Sequence, residues 1–253
     1  MPRKARRPSR NGIYHIMLRG INRQTIFEDD EDKLRLLETI KRFKRISKIK
    51  IYAYCLMDNH VHLLIKETDE TVSKAIQRIS SSYVYWYNNK YERSGHLFQG
   101  RFKSENVETL PYFLTVLRYI HHNPIKAGLA NQIFDCKWTS INEYLAHAHI
   151  VDVDFSLNLF SPNRNTAIQL FTDYMQKSND DQCLDDHVKF RISDDELRNR
   201  LYKLGIANHS ILQQMEKNKR NAIIFKLKAS HGVSVRQLSR LTGLSKSVID
   251  RIR

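Results

Sequence analysis

The chain has 253 residues and a formal net charge of +15, from 42 Lys and Arg against 27 Asp and Glu. With a sequence pI near 9.7 and a mean hydropathy of -0.53, its charge is most simply matched by a polyanionic partner, and nucleic acid is the first candidate. A membrane surface is the less favoured partner, since no apolar run approaches the ~20 residues needed to span a bilayer, and Cys55, Cys136 and Cys183 share no metal or redox spacing, which points to a reducing cytoplasm rather than a disulfide framework.

The basic start from Pro2 to Arg10 is followed by no apolar core of the kind a signal peptide needs. It reads as an arm that lays Arg3, Lys4, Arg6, Arg7 and Arg10 on phosphates, a solvated tail being the plain alternative. Ile13 to Arg19 reads as a strand ending at Gly20, and Asp30 to Ile46 as an amphipathic helix opened by acidic residues. Residues 50–57 and 60–66 form a hairpin about Asp58-Asn59. Thr71 to Tyr91 reads as a long helix with apolar positions at Val72, Ala75, Ile76, Ile79, Tyr83 and Trp86. Beyond a loop carrying Gly95 and Gly100, Phe102 to Val107 is a last strand and Leu110 to His122 a last helix, which Pro124 should end at Asn123. The order β-α-β-β-α-β-α is that of an α+β, ferredoxin-like antiparallel sheet with packed helices. Its functional groups should come from the free face of the sheet and from loops.

This first domain should run to about residue 150, followed by a connector over 151–165 and an all-α region over 166–253. Helical stretches fall near 166–176, 194–204 and 210–228. The last of the chain, 233–253, resembles a helix-turn-helix with a small residue at Ser239, a turn glycine at Gly243 and an apolar anchor at Ile249. Ser245 is a plausible N-cap for a recognition helix exposing Lys246, Ser247, Asp250 and Arg251, which would bind duplex DNA. A helical hairpin that merely packs is the alternative.

His60-Val61-His62 carries the chemistry. Side chains alternate along a strand, so His60 and His62 share one face while Val61, Leu63 and Ile65 fill the other, and two imidazoles on one edge make a metal platform. Eleven histidines in this length give roughly half a His-x-His pair by chance, so the pattern alone is weak. His147-Ala148-His149 lacks apolar alternation and reads as the chance match. In the last helix, Leu110, Phe113, Leu114, Leu117 and His121 form one stripe, leaving Tyr112, Tyr119 and Asn123 on the other side. A tyrosine there commonly packs its ring and turns its hydroxyl to water.

Four ordered blocks, Tyr14 to Phe27, Asp58 to His62, Gly95 to Ser104 and Arg118 to Leu129, resemble the HUH single-tyrosine transposases, specifically the REP-associated branch, over roughly residues 10 to 145. The resemblance implies cleavage and rejoining of single-stranded DNA at hairpin-flanked sites, with no nucleotide cofactor. His60 and His62 would hold Mg²⁺ or Mn²⁺, Tyr119 matches the nucleophile that forms a 5′-phosphotyrosine, and Asn123 takes the place of a third ligand that is usually a longer glutamine. A His-rich site suits Mn²⁺ as well as Mg²⁺. His96, Gln99 and Arg101 in the later loop would contact bases and phosphates or equally form a structural loop, whereas Arg19, Asn22, Arg23 and Gln24 after the first strand are read as gripping DNA in preference to merely capping the loop. Both a monomer and a homodimer remain open. A non-catalytic DNA-binding regulator that keeps this fold is the second functional class, and a replication nickase is disfavoured by the lack of a helicase-type phosphate loop.

Overall fold

The computed structural model describes residues 7–178, 180–181, 183–184, 194–206, 211–212, 215–230 and 233–252. Contacts divide the chain into two units, residues 1–185 and 186–253. In the first, β1 (Ile13–Arg19), α1 (Asp30–Ser47), β2 (Lys50–Met57), β3 (His60–Lys66), α2 (Val72–Lys90), β4 (Lys103–Asn106) and α3 (Leu110–Lys126) follow one another in the expected order. The four strands pair antiparallel in the order β2-β3-β1-β4. Asp29 and Asp32 close a reciprocal capping box at the start of α1, which is why the helix begins there.

The register places Arg19 opposite His60, Met17 opposite His62, and His15 opposite both Leu64 and Glu105. Paired residues project to the same side of a sheet. One face therefore carries His15, His60, His62 and Glu105, and the other carries Ile16, Leu18, Val61, Leu63 and Ile65, all buried at 3% exposure or less. α1 and α2 pack on each other, and Leu18 lines a cleft with Ser73, Gln77 and Val84 of α2, which puts that helix on the apolar face.

Three expectations are corrected. β3 is a central strand, so the histidine pair sits at the end of the sheet's interior and not on an edge strand. Nor is the histidine face free, because α3 lies across it and His62 is fully buried. α3 continues through Pro124 to Lys126 instead of stopping at Asn123, and it buries Val116, Tyr119, Ile120, His121 and His122 on several sides, so Tyr119 is not on an outward face.

The span 151–165 is not a bare connector. α4 (Val153–Asn158) and α5 (Arg164–Gln176) place Val153, Leu157, Ala167, Phe171 and Met175 in the same apolar core as the sheet. Phe155 meets the rings of Tyr52 and Phe113, Tyr144 stacks on Phe171 at 4.4 Å, and the Tyr144 hydroxyl donates to the Tyr52 carbonyl at 2.7 Å. A chain cut after residue 185 should therefore stay folded, whereas a cut at 150 removes seven core side chains. Phe171→Ala alone should cost about 3–5 kcal/mol, and thermal melts followed by circular dichroism check both expectations.

In the second unit, α6 (Asp194–Lys203), α7 (Lys217–Ala229), α8 (Val235–Thr242) and α9 (Lys246–Arg251) share a separate small core that includes Leu197, Ile224, Leu238 and Ile249. Ser234 and Ser245 cap α8 and α9 by accepting from Gln237 N–H and Val248 N–H, and Gly243 turns between them at φ 71°. Such a backbone favours glycine. Lys246, Ser247, Asp250 and Arg251 are exposed on α9 while Ile249 is buried. Lys228 donates to the carbonyls of Ile249, Asp250 and Ile252, closing the end of that helix.

Candidate active site

Three segments distant in sequence meet at the end of β1 and the start of β3. Gly20 N–H donates to Asn59 O at 2.9 Å, Ile21 N–H to Leu97 O at 2.9 Å, and Gln99 N–H to Arg19 O at 2.7 Å. A Cβ on Gly20 would stand 2.2 Å from the Gln24 carbonyl oxygen, so only glycine lets the chain turn this tightly. Asn22 and Arg23 then sit in the left-handed region at φ 53° and 62°, an arrangement that costs energy for residues with a Cβ. Asn59 Nδ2 donates to the Arg23 carbonyl at 3.3 Å and steadies that turn.

His60 and His62 project side by side, their ring centroids 5.0 Å apart. His60 Nδ1 lies 2.6 Å from Asn59 Oδ1, an acceptor, so Nδ1 donates and Nε2 keeps its lone pair. His62 Nδ1 is 2.9 Å from His15 Nε2, and His62 Nε2 is buried with no hydrogen-bond partner. Burial and nearby Arg19 hold the His60 imidazole down at about 4, and burial with the neighbouring His15, His60 and Arg19 holds His62 well below the usual histidine value. Both rings are therefore neutral at pH 7, the state in which imidazole binds a metal.

Tyr119 of α3 closes the site from above. Its ring centroid is 5.8 Å from those of His15 and His62, and the Lys126 ammonium stands 5.0 Å from the ring. Lys126 also donates to the Asp181 carbonyl at 2.9 Å, while Arg118 pairs with the Asp181 carboxylate at 2.7 and 3.0 Å. Asn123, one helical turn on, donates from Nδ2 to the Tyr119 carbonyl at 2.9 Å, which leaves Oδ1 as its donor atom for a cation. Among the described residues no group of three or more His, Cys, Asp or Glu could hold a metal, so the third protein donor would have to be an amide. The unpartnered, fully buried Nε2 of His62 fits an ion ligand better than a packing role, because a buried polar nitrogen left unmade is costly.

His15 was not visible as a site residue. It reads as one more strand position beside Tyr14, and only the β1 to β3 register brings it onto the histidine face. The signal available was a third histidine two residues from Met17 and four from Arg19 on the same alternation.

The other expected contacts divide. Asn22, Arg23, His96, Gln99 and Arg101 are exposed around the same end of the sheet, and Arg19 is half-buried beside His60. Gln24 instead ties the loops together, donating to Leu97 O at 3.5 Å and accepting from Arg93 at 3.4 Å. His96 and Arg101 also line a cleft of about 730 Å³ with Ser80, Ser81 and Tyr85 of α2. Arg7 and Arg10 are exposed, the Arg10 backbone N–H donating to Glu108, whereas Arg3, Lys4 and Arg6 lie outside the described residues. His147 and His149 are exposed in an irregular loop, away from any strand.

Residues 9–123 of this chain match the model of the IS200-like transposases. Its fold is that of a REP-associated tyrosine transposase solved bound to a REP hairpin, with TM-score 0.50, 18% identity, and coverage of 61% of this chain and 96% of that one. A candidate transposase from Deinococcus radiodurans R1 shows TM-score 0.35 and 16% identity over 48% of this chain and 97% of that one. No curated protein matches the sequence. No described helix is long and apolar enough to cross a membrane.

Proposed function

We propose that the first unit cleaves and rejoins single-stranded DNA at hairpin-flanked sites, using Tyr119 as nucleophile and a divalent ion, Mg²⁺ or Mn²⁺, held by His60, His62 and Asn123. The observation that carries this reading is the placement of one tyrosine ring against a histidine pair whose buried Nε2 has no partner. When bound, the ion would polarise a non-bridging oxygen of the scissile phosphate. Tyr119 Oη, on losing its proton, attacks phosphorus; a Tyr–O–P bond forms to the 5′ side, the bond to the 3′ oxygen breaks, and that oxygen leaves as a 3′-hydroxyl. Attack by a 3′-hydroxyl on the same phosphotyrosine reverses the step. One phosphodiester is exchanged for another, so no nucleotide cofactor is needed.

The hydroxyls of Tyr83 and Tyr87 are engaged elsewhere, donating to Ile26 O at 2.6 Å and to Glu28 at 2.8 Å, and burial pushes both far up. Burial and Glu105 do the same to Tyr112. Tyr119 is 4% exposed, so a phosphate reaches its hydroxyl only if neighbouring side chains move.

The exposed Asn22, Arg23, His96, Gln99 and Arg101, with Arg19 and the arm that holds Arg3, Lys4, Arg6, Arg7 and Arg10, would grip the folded strand, mostly through phosphates. In the second unit, Lys246, Ser247 and Arg251 of α9 would read duplex DNA. Incubation of the purified protein with hairpin-containing single strands and Mn²⁺ tests the reading. A nicked product that EDTA abolishes is expected. Binding without any nick, in either metal, would favour a DNA-binding regulator that has kept the fold.

A further inference from the structure

We propose that His15 is a positioning residue that fixes the tautomer and ring orientation of His62, with Glu105 setting the direction of the chain of contacts; this rests on the reading that His60 and His62 hold a divalent ion. His15 is fully buried. Its Nε2 is 2.9 Å from His62 Nδ1, the rings are 5.1 Å apart and tilted by 35°, and its Nδ1 has no hydrogen-bond partner but faces the Glu105 carboxylate at 3.9 Å. Glu105 is itself held by Leu184 N–H, which donates to its Oε2 at 2.9 Å.

The chemistry of these atoms decides who donates to whom. A carboxylate only accepts, so Glu105 favours a proton on His15 Nδ1. Neutral His15 then presents Nε2 as an acceptor, and His62 must supply the proton from Nδ1. That leaves the lone pair of His62 on Nε2, the atom with no partner in the protein and the one available to an ion. The reverse tautomer would put a hydrogen there and close the site. A core-filling role does not account for the arrangement, since leucine would occupy similar space without burying two ring nitrogens. Asn59 performs the same service for His60 from the turn, so each imidazole has one nitrogen tied down and one turned to the ion. Histidine ligands commonly depend on such partners for affinity.

The test is Mn²⁺ binding to the full chain without DNA, read by the electron paramagnetic resonance of free Mn²⁺, beside the ring ¹⁵N shifts of His62 in the metal-free protein. His15→Leu should weaken Mn²⁺ by about 10–100-fold, and His15→Gln, whose amide oxygen can still accept from His62, should return most of it. In wild type and His15→Gln, His62 should be the Nδ1–H tautomer. Wild-type affinity in His15→Leu, or an Nε2–H His62 in the wild type, overturns the proposal. Should His15→Leu fail to fold, the wild-type tautomer and the His15→Gln affinity decide alone, and loss of affinity in His15→Gln equal to that of His62→Ala counts against it. His60→Ala and His62→Ala separate the two readings. If they bind Mn²⁺ like wild type, the metal site itself is wrong and the role of His15 falls with it. If they lose Mn²⁺ while His15→Leu keeps it, only the positioning role is wrong.

Discussion

Replacing His62 by Ala lowers Mn²⁺-stimulated cleavage of a hairpin-flanked single strand by about 10³-fold or more, because several kcal/mol of charge stabilisation at the phosphate is lost with the ion. His60→Ala behaves alike. Retention of DNA in a gel changes little, since a chain of net charge +15 draws most of its affinity from phosphate contacts away from these two rings. His147→Ala and His149→Ala leave cleavage untouched, their side chains lying exposed in a loop. Wild-type cleavage by His62→Ala in Mn²⁺ would remove the metal site from the account.

Acid should unfold the metal-free first unit steeply, and the cause is its buried histidines. Burial holds His15 and His121 at about 3, His60 at about 4, and His62 well below its usual value. In the unfolded chain these groups titrate near 6.5. A folded value below the unfolded one means that the stabilising contribution is complete above the unfolded value and is lost as pH falls through 6.5 toward the folded value. Four such groups together lose about 5 kcal/mol for each pH unit below about 6, against a typical total of 5–15 kcal/mol, so the fold should fail between about pH 4 and 5. Carboxylates titrate lower and cannot account for a loss that begins at pH 6. The slope of urea-unfolding stability against pH should correspond to about four protons taken up on unfolding, and to about three in His121→Leu. A stability independent of pH between 6.5 and 4.5 would contradict the buried, neutral state of these rings.

Much of the first unit is legible because its signals are local. Alternation marks β1 and β3, the Asp58-Asn59 turn sets the hairpin, and the acidic start of α1 is a capping box in the structure. Both caps of the last two helices rest on serines, of which Ser245 is recognisable from its position ahead of the final apolar residues. What escapes the sequence is nonlocal. Periodicity finds one apolar stripe on α3, but a helix pressed between the sheet and the layer of α4 and α5 has little free face, so Tyr119 and His122 are buried as well. His122 Nε2 donates to Met175 O at 2.6 Å and ties α3 to α5. Residues 151–165 look like a connector because Val153, Leu157 and Phe155 become a stripe only once Tyr52 and Phe113 are beside them. His15 enters the site through strand register, which no single segment encodes.

The central claim is that Tyr119 attacks DNA. It is tested most directly by incubating the protein and Mn²⁺ with a hairpin-containing strand labelled on the 3′ side of the cut, denaturing the mixture, and mapping any labelled peptide. The account predicts a covalent 5′-phosphotyrosine on Tyr119, a free 3′-hydroxyl on the other fragment, and no adduct from Tyr119→Phe, which keeps the ring against His62 and loses only the hydroxyl. An adduct that persists in Tyr119→Phe, or a cut that leaves no protein on either end, would contradict it.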